Sequence, residues 1–170
     1  MRVARTFALV LLAHVSWACS PVPTAPTVAR PSKTSSQSWG PETPHFNLQV
    51  VLRGDGFGLV KFRQPNDGAS IIYLDTWVRG LAPNTSYVLQ RAVDTNVDGE
   101  CTSTGWLTLG KGLVAQAIVT DSDGTGRADL FRDVGAFPAG SRFDIHFRVI
   151  NAGTAAVVLQ SGCYEFTISP

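Results

Sequence analysis

The chain from residue 45 onward alternates apolar and polar positions in short runs, each closed by Gly, Pro, Asn or Asp. The clearest is Phe143, Ile145, Phe147 and Val149 facing one way, with Asp144, His146 and Arg148 facing the other. Period two is the signature of a strand with one face on a core. Phe46–Leu52 reads as a first strand, and Gly54-Asp55-Gly56 as its turn. Phe57–Phe62 reads as a second strand, with Gly58 as an expected bulge. Ser70–Val78 is apolar on both parities, which predicts a central strand with Trp77 in the core, the alternative being an exposed Trp77 that anchors a ligand or partner. Further strands are expected at Thr85–Val93, Trp106–Leu109, Ala115–Thr120, Ala128–Phe131 and Ala155–Ile168, the last broken at Ser161-Gly162. Tyr164, Phe166 and Ile168 share one face of that last run.

No window keeps a helical period, and Val, Thr, Phe and Tyr recur in the runs. The fold class predicted is all-β, with eight or nine strands over residues 45–170, best satisfied by two packed antiparallel sheets. Lys and Arg number 14 against 13 Asp and Glu, a net charge of +1, which gives no electrostatic case for nucleic acid.

Around the fourth run the order Leu81-Ala82-Pro83-Asn84-Thr85-Ser86-Tyr87 carries a turn. Pro83 fixes its own φ and donates no hydrogen bond, so the chain bends there. Leu81 and Tyr87 are apolar enough to fill the core on either side, and a buried phenol needs a polar partner. Over residues 74–93 this pattern resembles the tyrosine corner of fibronectin type III and other immunoglobulin-like domains. The resemblance implies an immunoglobulin-like antiparallel β-sandwich with the Tyr87 hydroxyl returned to backbone near the turn. Arg91 departs from the pattern, standing where strand parity calls for an apolar side chain.

The N-terminal part is organised differently. Arg2 and Arg5 precede the apolar run Phe7–Ala13, and small residues stand at Ser16 and Ala18, so residues 1–18 read as an export signal. The run is too short to span a membrane as a helix. Ala18-Cys19 resembles the lipobox of bacterial lipoproteins, which implies lipidation of Cys19 and attachment to the envelope through a lipid. The alternative is a plain secreted protein. Residues 19–44 hold six prolines among Ser and Thr, the composition of a disordered tether. With Cys19 given a separate fate, Cys101 and Cys163 remain as a disulfide pair in an exported chain, two separate thiols being the alternative.

Candidate chemistry is sparse. Asp94, Asn96 and Asp98 with Gly99 match the first half of a calcium loop, but the twelfth position is Gly105 rather than Glu. Asp121-Ser122-Asp123-Gly124 looks similar and reads as a hairpin turn. Asp144 and His146 on one strand face could pair as a base, with no nucleophile in context. Asn84-Thr85-Ser86 has the form of a glycosylation sequon, and Asn84 reads more simply as a turn residue. The function expected is a binding or structural role at the bacterial envelope, without catalysis or a cofactor, the partner being an envelope protein or glycan. The alternatives are a calcium-stabilised adhesion or carbohydrate-binding module and, behind it, an envelope hydrolase.

Overall fold

The computed structural model describes residues 47–170. The expected export signal (1–18), the tether (19–44) with Cys19, and the domain edge at His45 lie outside the described residues.

Every regular element among the described residues is a strand. They are β1 (Asn47–Gly54), β2 (Phe57–Arg63), β3 (Ile71–Arg79), β4 (Ser86–Asp94), β5 (Leu107–Thr108) and β6 (Gly110–Lys111). They continue with β7 (Val114–Ala115), β8 (Ala117–Val119), β9 (Gly126–Asp133), β10 (Arg142–Asn151), β11 (Val157–Ser161) and β12 (Tyr164–Thr167). The twelve exceed the expected eight or nine because residues 106–120 fold as four short pieces rather than two strands and the last run divides into β11 and β12. At Gly110 the chain doubles back so tightly that a Cβ would stand 1.8 Å from the Val114 carbonyl oxygen.

The strands form a single sheet in the order β5-β4-β10-β11-β1-β2-β3-β9-β6-β7, with β12 also on β10 and β8 also on β4. All pairings are antiparallel except β6 with β9, which meet in parallel at Lys111 and Phe131. Because β8 pairs with β4 and a Thr120–Gly126 bridge ties its end to β9, the sheet nearly closes on itself. A nearly closed, mixed, barrel-like sheet therefore stands where two separate antiparallel sheets were expected. Closure removes most of the edge backbone that an open sheet leaves unpaired.

Alternation sets the core. Leu48, Val50 and Leu52 of β1, Val60 and Phe62 of β2, and Ile72, Leu74 and Val78 of β3 are buried. Ile145, Phe147 and Val149 of β10 meet them from the other side, with Phe62 edge-on to both Phe147 and Phe166. Two expectations change. Gly58 is no bulge, since it pairs in unbroken register with Leu52. It is small because the Leu52 and Leu159 side chains press to about 3 Å of where its Cβ would be. Trp77 faces outward, because β3 buries the even-numbered positions. Its ring lies edge-on to Phe57 under the Arg79 guanidinium.

At the bend before β4, Tyr87 and Leu81 are buried and Pro83 is exposed. The Ala82 N–H donates to the Tyr87 hydroxyl oxygen at 3.1 Å. The bend is also docked on the β8–β9 turn. The Leu81 N–H donates to the Gly124 carbonyl at 3.2 Å, and the Thr120 hydroxyl donates to the Ala82 carbonyl at 2.7 Å. Between β11 and β12 the chain kinks at Gly162-Cys163. There the Ser161 hydroxyl oxygen accepts the Phe147 N–H at 2.8 Å in place of a backbone carbonyl. Beyond the kink the Tyr164 hydroxyl accepts the Val51 N–H at 3.2 Å, bridging β12 to β1 where no ladder joins them.

Candidate functional site

Two strands break their own alternation at one place. On β4 the buried positions Tyr87 and Leu89 are followed at the same parity by Arg91 and Val93. On β9 the buried positions Ala128 and Leu130 are followed at the same parity by Arg132, and then by buried Val134. Both arginines thus stand where a core side chain would be, and both are half-buried.

They flank a cavity of about 100 Å3 inside the sheet. Phe62, Leu74, Leu109, Ile145 and Phe147, all buried, form its apolar floor. Exposed Thr95 and Phe137 mark its mouth beside Arg91 and Arg132. Phe137 reaches it from the turn after β9, its ring 6.4 Å from that of half-buried Phe143.

The two guanidiniums are close enough to repel. Burial lowers the Arg91 pKa from the ordinary arginine value, and the charge of Arg132 lowers it further. Arg132 donates one N–H to the Gly112 carbonyl at 3.3 Å. Among the described residues no carboxylate comes within ion-pair distance of either, whereas Arg63 pairs with Asp75 and Arg142 with Glu165. The sequence signalled Arg91 through its parity. Arg132 shows only when the alternation Ala128, Leu130, Arg132, Val134 is carried past Phe131, where the apolar run itself stops.

The polar residues singled out in the sequence are engaged elsewhere. Asp94 and Asp144 stand opposite each other in the β4–β10 register. Asp94 accepts the Ser103 N–H and the Thr102 hydroxyl, both at 3.2 Å. Asp144 accepts the Asp98 N–H at 3.1 Å and the Gly99 N–H at 2.7 Å through Oδ2. The two carboxylates clamp the loop between β4 and β5 from neighbouring strands. Asp144 is therefore fully buried, not on an open face as its parity implied, because this loop folds back over it. Its Oδ1 has no hydrogen-bond partner among the described residues. Asp98 accepts the Glu100 N–H and the Asn96 side-chain N–H. Asp121 accepts the Asp123 and Thr125 N–H groups, as a turn aspartate does. Among the described residues no three His, Cys, Asp or Glu side chains gather to hold a metal.

His146 does not hydrogen-bond Asp144. Its Nε2 donates to the Ser103 carbonyl at 3.1 Å, and its ring packs 4.6 Å from that of Trp106. The Arg148 guanidinium lies 4.1 Å from the same Trp106 ring centre and donates to Gln90. Cys101 and Cys163 stand at disulfide distance, with Cα atoms 5.4 Å apart, and clip this loop to the kink before β12.

No protein-family model matches the chain, and no curated protein matches it. The functional reading therefore rests on the geometry.

Proposed function

We propose that this protein is a non-catalytic binding domain of the bacterial envelope, and that it binds a small apolar group in the cavity between Arg91 and Arg132. The observation that carries the reading is the pair of arginines at core positions beside an apolar cavity. Charged side chains are almost never placed among core residues without a partner or a use. Polar groups set around an otherwise apolar pocket are the usual form of a ligand site. The engagement of Asp94, Asp98, Asp144 and His146 in holding one loop supports a scaffold role for them over calcium binding or hydrolysis. Attachment through Cys19 and a tether over 19–44 rests on the sequence alone. The hydrogen bond at Tyr87 supports an immunoglobulin-like corner set within the nearly closed sheet.

The test of binding is methyl NMR on the full chain with a panel of small neutral apolar molecules, among them 1-hexanol. Shifts confined to Leu74, Leu109 and Ile145 are expected. A panel that leaves those methyl groups unmoved overturns the reading. Attachment is tested apart from binding: radiolabelled palmitate should enter the wild type and not Cys19→Ala.

A further inference from the structure

We infer that the ligand is an anion with a short apolar tail, an alkyl or aryl carboxylate, whose head is held between Arg91 and Arg132 while its tail fills the cavity. The inference rests on the binding reading above and names its ligand class.

The order of chemistry along the cavity fixes the order along the ligand. Its buried end is Phe62, Leu74, Leu109, Ile145 and Phe147, which offer no side-chain polar atom. Towards the surface it is lined by half-buried Arg91 and Arg132 and by exposed Thr95 and Phe137. A ligand polar at one end and apolar at the other matches both.

The sign of the head follows from the other arginines. Arg63 and Arg142 are neutralised by carboxylates. Arg148 stacks on Trp106 and donates to Gln90. Arg53 and Arg79 lie over the Phe57 ring. Among the described residues, Arg91 and Arg132 alone combine inward parity, mutual repulsion and no carboxylate within ion-pair distance. Arg91 is partly desolvated and feels the charge of Arg132, and one anion placed between them relieves that repulsion. A carboxylate suits the guanidinium fork, which donates two parallel N–H bonds to it.

The length of the tail follows from the volume. An apolar cavity of roughly 150 Å3 accepts benzene. By the same ratio one of about 100 Å3 encloses about four carbons, so the tail of hexanoate fills it out to the mouth beside Phe137. It is far below the roughly 300–1,000 Å3 of sites that enclose whole drug-sized molecules.

The experiment is calorimetric titration of the full chain with hexanoate, 1-hexanol and acetate, in wild type, Arg91→Gln, Arg91→Lys and Arg132→Gln. Hexanoate is expected to bind at least about tenfold tighter than 1-hexanol, with acetate weakest, because head and tail both contribute. Arg91→Gln and Arg132→Gln should bring hexanoate down toward 1-hexanol, and Arg91→Lys should retain only the part of the preference that charge without the fork supplies. The preference in wild type should also shrink as salt rises, a readout that survives if a variant fails to fold. Equal binding of hexanoate and 1-hexanol, or a preference unchanged in both glutamine variants, overturns the carboxylate inference and leaves the binding reading standing. If neither molecule binds, both fall.

Discussion

At the scale of single residues, one hydroxyl and one carboxylate hold backbone that has no strand partner. The Tyr87 hydroxyl accepts the Ala82 N–H inside the bend before β4. Tyr87→Phe keeps the ring and removes only that acceptor. It should lower stability by about 1–2 kcal/mol, read as a fall in the urea midpoint at constant slope. A change below about 0.3 kcal/mol would show that the ring alone makes the corner. Asp144 accepts two N–H groups of the loop between β4 and β5. Asp144→Ala strands the Asp98 and Gly99 amides and should cost about 2 kcal/mol or more. Hydrogen exchange should rise selectively at those two amides. Exchange unchanged there would mean that Asp94 and the cysteine pair hold the loop without it. The sequence announced the first of these roles, because Leu81, Pro83 and Tyr87 form a local pattern. It did not announce the second. Asp144 alternates as an exposed residue should, and only a loop lying 45 positions away along the chain buries it.

At the scale of elements, alternation made β1, β2, β4 and β10 legible, because each sets apolar side chains on its core face against mostly polar ones on the other. It did not make the closure legible. The sheet is shut by pieces of two or three residues, too short to show any period, and by backbone contacts that glycines permit. Gly124 is such a contact. It has φ of +72°, and a Cβ on it would stand 2.1 Å from the Leu81 carbonyl oxygen. Gly124→Ala therefore meets both a left-handed backbone and a backbone collision, and nothing flexible can yield. We expect a loss of about 3 kcal/mol or more, with the β8–β9 turn lifted off the bend at Leu81. A well-folded variant within about 1 kcal/mol of wild type would show that the two turns are not locked together. The Cys101–Cys163 pair acts on the same scale, closing 62 residues between the loop and the kink before β12. In the chain-entropy account such a cross-link contributes about 4 kcal/mol as an upper figure. Reduction should therefore shift the urea midpoint well beyond what any of the loop's single hydrogen bonds supplies.

At the scale of the whole molecule, the site depends on two strands that are far apart in sequence and face each other only when the sheet closes. The parity of Arg91 pointed to a departure; its meaning needed Arg132, and no spacing rule joins them. Their arrangement also predicts a conflict between stability and binding. Without ligand, Arg91 is a partly desolvated cation beside a second cation. Arg91→Met removes the charge, keeps an unbranched apolar stem, and lets that stem fill part of the cavity. The unliganded protein should become more stable by about 1 kcal/mol, a rise of a few degrees in Tm, the gain held near that low figure because solvent still screens the half-buried head. The sign with pH is fixed as well. The charged form of Arg91 is the one disfavoured by folding, so its cost is full wherever the side chain is protonated and eases only as pH rises through its lowered pKa. An arginine stays protonated throughout the range in which proteins are handled, so the gain in Arg91→Met should be the same from about pH 5 to about pH 9. In the same variant hexanoate should lose its advantage over 1-hexanol, so that the more stable protein is the poorer binder. A destabilised Arg91→Met would instead make Arg91 a structural member of the sheet, and the coupling of stability to ligand would be lost with it.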